Sequence, residues 1–178
     1  MIFINESSFK LKIAQNYSKL GLLNNKTRMM DNNNHYYTEC TYEHICKVNE
    51  GVTSIEDWGL SNDLELTKII FPSSLSELGD QCCLFLENLV EVEFNMECSL
   101  EVIPRSCFAQ CASLKQIVLP PSVKAIEEDA FGESGIKNVV ITSEEMPTID
   151  ESAFQDCSIV VVFNAVTKER TVFNSSQS

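Results

Sequence analysis

Apolar residues recur along most of the chain in a fixed triplet: an aliphatic residue, a second one three positions later and a bulky apolar residue five positions beyond. The triplet occurs five times, and its last members are separated by 23, 25, 23 and 23 residues. These last members are Leu60, Cys83, Phe108, Phe131 and Phe154, and the residues just before them are Gly59, Cys82, Cys107, Ala130 and Ala153. A period of this length predicts a solenoid, because a single unit of this size cannot bury its apolar side alone.

A short alternating run rich in β-branched residues lies between successive triplets. Alternation of this kind predicts a strand, and prolines after two of the runs, Pro72 and Pro120-Pro121, would end it. The runs are Leu66–Phe71, Leu89–Phe94, Leu114–Leu119, Ile136–Ile141 and Ile159–Phe163. We expect a compact helical turn at the Ala-Phe step of each repeat. Each unit is therefore expected to contain a strand, a turn and a helical turn. The units are expected to stack so that their strands form one parallel sheet.

The stretch from Leu114 to Phe131 reads Leu-Lys-Gln-Ile-Val-Leu-Pro-Pro-Ser-Val-Lys-Ala-Ile-Glu-Glu-Asp-Ala-Phe. It resembles the BspA-type, or Treponema-type, leucine-rich repeat, and Cys111 and Cys157 match that repeat's terminal cysteine. The resemblance implies an α/β leucine-rich-repeat solenoid, right-handed, with about five repeats of 22–25 residues and a parallel sheet on its concave face. It also implies adhesion or protein binding rather than enzymatic activity, since the family occurs in bacterial surface proteins and parasitic protists.

The sequence predicts three parts. Residues 1–42 do not fit the repeat and form an Asn-rich N-terminal extension, either a cap on the first repeat or a disordered segment. Residues 43–163 form the repeat domain, and residues 164–178 form a polar C-terminal tail after the last strand.

Alternation within each strand predicts which side chains point away from the core. If the first, fourth and sixth residues of a run face inward, the third and fifth face outward on the concave side. The predicted binding stripe consists of Lys68, Ile70, Glu91, Glu93, Gln116, Val118, Asn138, Val140 and Phe163. Exposed apolar stripes edged by polar groups often mark interaction sites. The alternative is that a sheet simply favours β-branched residues at these positions.

Charge and candidate chemistry narrow the function. The net charge of −13 disfavours nucleic acid, which is bound largely through Lys and Arg. His35, Cys40, His44 and Cys46 do not follow the spacing of zinc sites, and no nucleophile elbow or phosphate loop is present. Acidic pairs before the Ala-Phe step, such as Asp150-Glu151, are expected to cap helical turns. We therefore expect no metal, cofactor or catalytic residue, and eight reduced, structural cysteines.

Two settings remain open for a non-enzymatic module that binds a protein partner. The family resemblance favours recognition or adhesion at a cell surface. The absence of a secretory signal and of any long apolar run favours the cytoplasm, an intracellular scaffold or regulatory role, and no insertion into a membrane. Glycosylation at the sequons of Asn5, Asn25 and Asn174 would distinguish the two settings.

Overall fold

The computed structural model describes residues 38–40 and 44–174, and within these ranges the chain forms strands and turns but no helix. In chain order the strands are β1 (Thr38–Cys40), β2 (Ile45–Val48), β3 (Ser54–Ile55), β4 (Lys68–Phe71), β5 (Glu77–Leu78), β6 (Glu91–Phe94), β7 (Val102–Ile103), β8 (Gln116–Leu119), β9 (Ala125–Ile126), β10 (Asn138–Ile141), β11 (Thr148–Ile149), β12 (Val160–Asn164) and β13 (Arg170–Phe173).

The strands form two stacks, one of long strands and one of two-residue strands. The long strands make two four-stranded sheets, in the orders β1-β2-β4-β6 and β13-β12-β10-β8. Strand β6 lies beside β8 without a hydrogen-bonded ladder between them. The short strands form sheets in the orders β3-β5 and β11-β9-β7. Successive repeats pair in parallel, so the described chain is a parallel-sheet β-solenoid of about five turns.

Inward-facing residues of the long strands stack from one turn of the solenoid to the next. Val139 is the register partner of Ile117 on one side and of Val162 on the other, and all three are buried. Phenylalanines of the triplets form a second stack. The centroid of the Phe131 ring lies 5.6 Å from that of Phe108 and 5.5 Å from that of Phe154, and the Phe131 ring is nearly parallel to both. Each turn therefore completes the core of its neighbour, as the spacing predicts.

The expected α/β class is wrong, because the Ala-Phe steps are turns rather than helical turns. The first four of these turns each contain two residues with left-handed backbone, such as Gln81 (φ 58°) and Phe85 (φ 60°), and the last contains one, Asp156 (φ 56°). A continuous right-handed helix excludes this backbone conformation. Alternate N–H groups of a turn donate across the stack rather than within the segment: Cys83 N donates to Cys107 O at 3.0 Å, and Phe85 N donates to Ala109 O at 3.1 Å. If these N–H groups bonded within a helix instead, the carbonyl groups of the neighbouring turn would lose their hydrogen-bond partners.

Two strands lie outside the boundaries that the sequence predicts for the repeats. Strand β1 pairs antiparallel with β2, and β13 pairs antiparallel with β12 inside the expected polar tail. The Phe173 ring then lies 4.9 Å from that of Phe154, at the end of the phenylalanine stack. Most of the expected N-terminal extension, including the choice between cap and disordered segment, lies outside the described residues.

Two glutamines in different backbone conformations provide a matched test of the turn geometry. Gln110 is left-handed (φ 57°), whereas Gln116 lies in strand β8. We expect Gln110→Gly to raise the free energy of unfolding by up to about 1 kcal/mol, because it relieves left-handed strain. The same change at Gln116 should lower it by roughly 0.5–1 kcal/mol. Urea denaturation of both variants measures the difference, and equal losses would contradict the assignment.

Phe131 is the test of the phenylalanine stack, since it is fully buried between two other rings. We expect Phe131→Ala to lower the free energy of unfolding by about 3–5 kcal/mol through lost contacts and a cavity. Val90, which is 60% exposed, serves as the control. Val90→Ala should change stability by about 0.5 kcal/mol or less. Denaturation followed by circular dichroism compares them, and a small loss at Phe131 would show that the stack is loosely packed.

Candidate binding surface on the long-strand face

The surface formed by outward side chains of the long strands is called the long-strand face. In β4, β6, β8 and β10 the second and fourth residues are buried, and the first and third are exposed or half-buried. All nine residues of the predicted stripe point away from the core: Lys68, Ile70, Glu91, Glu93, Gln116, Val118, Asn138, Val140 and Phe163. Their outward direction follows from the alternation, since a shift of one residue would bury the charged ones.

The structure brings these residues together in two groups rather than in one stripe. Ile70 is in register with Glu93 on the first sheet. Val118, Val140 and Phe163 are in register with one another on the second sheet. The two groups are separated where β6 and β8 lie side by side without hydrogen bonding to each other. The long-strand face therefore has a charged half on β4 and β6 and an apolar half on β8, β10 and β12.

The charged half is organised around Lys68. Its Nζ donates to Glu91 Oε1 at 3.0 Å and lies 2.9 Å from Glu93 Oε2. Hydrogen bonds to Glu93 and then to Glu91 raise the pKa of Lys68 above its ordinary value, against a smaller opposing effect of burial. Two carboxylates therefore surround one ammonium group.

The apolar half is wider than the sequence predicts. Phe163 is 36% exposed, and Val172 of strand β13 is 49% exposed. Val172 is in register with Val161, which is half-buried beside Asn138. Arg170 is in register with Phe163 and supplies a cation at the edge. We define the apolar patch as Val118, Val140, Val161, Phe163 and Val172.

Sequence reasoning missed the residues of the end strands. Lys47 of β2 is in register with Ile70, so it extends the charged half by one strand. The alternation in Ile45–Val48 resembles that of the later strands, but it precedes the first triplet and was therefore not assigned to a repeat. Residues 170–173 also alternate weakly, and their antiparallel return depends on tertiary pairing that no repeat predicts.

The acidic pairs do not cap helices. Asp150 Oδ1 accepts hydrogen bonds from Ser152 N at 2.9 Å and from Ser152 Oγ at 2.7 Å, which lower the pKa of Asp150. Glu128 Oε2 lies 3.3 Å from Arg105 Nε on the neighbouring turn. These carboxylates stabilise turns and the contacts between turns. The expectation that they cap helical turns is therefore wrong.

The four His and Cys residues whose spacing does not follow that of zinc sites lie partly outside the described residues. His35 and the side chain of Cys40 lie outside the described residues, and the His44 Nδ1 lies 3.6 Å from Glu65 Oε2. Within residues 44–174, three other potential ligands converge, the thiols of Cys82, Cys83 and Cys107. They lie inside the core, away from the long-strand face. The sequence pattern places Cys82 and Cys107 at the same position of the repeat, but it did not predict that the three thiols would be adjacent.

The stacked parallel strands and recurring turns define a repeat protein of the leucine-rich class. The BspA type leucine rich repeat region matches residues 30–160 in six copies, and the chain belongs to that family. The fold is similar to that of a leucine rich cell surface protein from Faecalibacterium prausnitzii, with a TM-score of 0.59 and 23% identity over 78% of this chain. It is also similar to a leucine-rich repeat protein from Bacteroides ovatus, with a TM-score of 0.56 and 20% identity over 76% of this chain.

The chain spans 37% and 39% of the lengths of these two structures, and at such identities the likeness concerns the fold alone. No curated protein matches the sequence. Repeat proteins of this kind generally serve protein interaction through extended surfaces and are typically not enzymes. Across the described residues, no helix has the length and hydropathy needed to cross a bilayer.

Lys68 provides a test of the charged half. Because Glu93 contributes most to the raised pKa, Glu93→Gln should lower the pKa of Lys68 toward its usual value more than Glu91→Gln does. The ion pair is complete below the ordinary lysine pKa, and its stabilisation is lost as the pH rises through the folded-state value. Side-chain NMR of Lys68 during an alkaline titration measures both variants. An unchanged pKa in Glu93→Gln would show that the pair does not form in solution.

Proposed function

We propose that the chain is a non-enzymatic module that binds a protein partner through the apolar patch of the long-strand face. The observation that carries this proposal is the register of Val118, Val140 and Phe163 on three adjacent strands, all turned away from the core. The strands hold these side chains at intervals of about 4.8 Å, so the patch is preorganised and loses little conformational entropy on binding.

The composition of the patch supports a protein partner. Exposed apolar side chains are bordered by the amides of Gln116 and Asn138 and by the guanidinium of Arg170. An apolar centre with a polar rim is the usual anatomy of a protein interface, and an exposed phenylalanine is a common anchor. A polar solute or a polyanion would gain little from such a surface.

The charge of the chain indicates which partners it favours. The net charge of the chain is −13. Long-range attraction would speed the approach of a basic partner and repel another acidic protein or a nucleic acid. We therefore expect a partner segment that combines apolar side chains with Lys or Arg.

Recognition or adhesion at a cell surface is the more specific form of this proposal. It is supported by the cell surface protein of Faecalibacterium prausnitzii, whose fold is similar. The alternative is an intracellular scaffold or regulatory module. Asn174 begins an Asn-Ser-Ser sequon and is exposed, so its state in the native cell distinguishes the two. Glycosylation there would establish passage through a secretory compartment.

Affinity capture from the source cells and their surroundings tests the binding surface. The wild-type chain is compared with a double variant, Val118→Glu and Val140→Glu, which places two carboxylates in the centre of the patch. We expect the variant to lose captured partners and to weaken their affinity at least about tenfold, because each charge would be desolvated on binding.

Val90→Glu is the matched control, since Val90 is 60% exposed and is not part of the apolar patch. Circular dichroism and thermal unfolding establish that all variants are folded. The proposal predicts that the control retains every partner lost by the double variant. Retention of the same partners, with the same affinities, by the folded double variant would refute it.

A further inference from the structure

Three thiols meet in the interior of the solenoid, on the turns of two neighbouring repeats. Cys82 Sγ lies 3.5 Å from Cys107 Sγ and 3.6 Å from Cys83 Sγ. The three sulfurs lie within 4.8 Å of one another, and all three residues are fully buried. This cluster is the densest group of soft ligands in the described part of the chain, and the binding surface does not use it.

The repeat explains how the cluster arises. Cys82 and Cys107 occupy the small-residue position held by Ala130 and Ala153 in later repeats, and this position stacks from turn to turn. Cys83 occupies the position that holds phenylalanine in the next repeat. Thiols at these positions bring three sulfurs together. Alanine and phenylalanine, which fill the same positions in later repeats, would have sufficed for an apolar core.

The two separations that involve Cys82 Sγ are slightly shorter than those of sulfurs that share one metal ion. Metal–sulfur bonds of about 2.3 Å place such sulfurs roughly 3.8–4.0 Å apart. Movements of a few tenths of an ångström would therefore suffice for Cys82 and its two neighbours. Thiolates select soft ions, and zinc in a closed site takes four ligands. The next thiol, Cys111, donates to Cys83 O at 3.3 Å and lies outside the group of three.

Acidic side chains act on the cluster from outside it. The carboxylates of Asp57 and Asp80 interact electrostatically with Cys82. Their negative charge attracts a cation at the cluster.

We propose that Cys82, Cys83 and Cys107 form a three-coordinate site for a soft monovalent cation, Cu(I). On binding, each sulfur forms a bond to the ion, and each thiol that was protonated releases its proton to solvent. No electron is transferred. The ion enters when the turn around Cys82 opens locally, because the three residues are fully buried in the closed structure.

Competition with a chromogenic Cu(I) chelator tests the site on the full chain, reduced and under nitrogen. We expect one Cu(I) per chain, and X-ray absorption should show three sulfur ligands at about 2.2–2.3 Å. Cys82→Ala and Cys107→Ala restore the residue of later repeats at the same position and should lower the affinity at least about tenfold.

Cys98→Ala is the control, because Cys98 is buried but does not belong to the cluster. It should retain the affinity of the wild type. A Cys40→Ser background removes Cys40 as a competing ligand. Equal affinity of the wild type and Cys107→Ala would overturn the proposal. A Cys82–Cys107 disulfide in the chain isolated without reductant, found by peptide mass mapping, would also overturn it.

Discussion

The structure depends on backbone hydrogen bonds that run from each turn of the solenoid to the next. They join the long strands, the short strands and also the bends between them, as in the bond from Leu60 N to Cys82 O at 2.7 Å. Buried peptide groups need partners, so each turn must present its N–H and C=O groups at the same places as its neighbour. This constraint imposes the regular spacing of the triplets and stacks equivalent side chains on one another.

One irregularity in the spacing coincides with the main division of the surface. The interval of 25 residues between Cys83 and Phe108 contains the segment Asn95–Ser99, which directly follows β6. There the ladder of long strands is absent between β6 and β8. The short strands show the same division, since β5 and β7 belong to different sheets. The charged and apolar halves therefore lie on separate ladders, and a change in one half need not disturb the register of the other.

The sequence could predict what the repeat itself determines. Apolar spacing identified one long strand in each repeat but not the two-residue strands or the end strands. Alternation identified Val118 and Val140 as outward-facing, and both lie at outward positions of their strands. Their role in binding stays a prediction. The sequence could not distinguish a helical turn from a tight turn, because both place Ala130 and Phe131 toward the core. The choice depends on whether N–H groups bond within the segment or to the next turn, as Phe131 N does to Ala153 O. The antiparallel strand β13 depends on tertiary pairing, which has no periodic signature.

The same constraint explains how one repeat can hold two kinds of chemistry. The backbone of Cys83 donates across the stack to Cys107 O, so the peptide groups of the cluster maintain the fold whatever the side chains are. Thiols can then replace alanine or phenylalanine at inward positions, while outward positions vary separately. Because these inward positions stack, two substitutions in neighbouring repeats become adjacent in space although they are 25 residues apart. A metal-sized group of ligands can therefore arise from separate changes in positions that elsewhere are ordinary core.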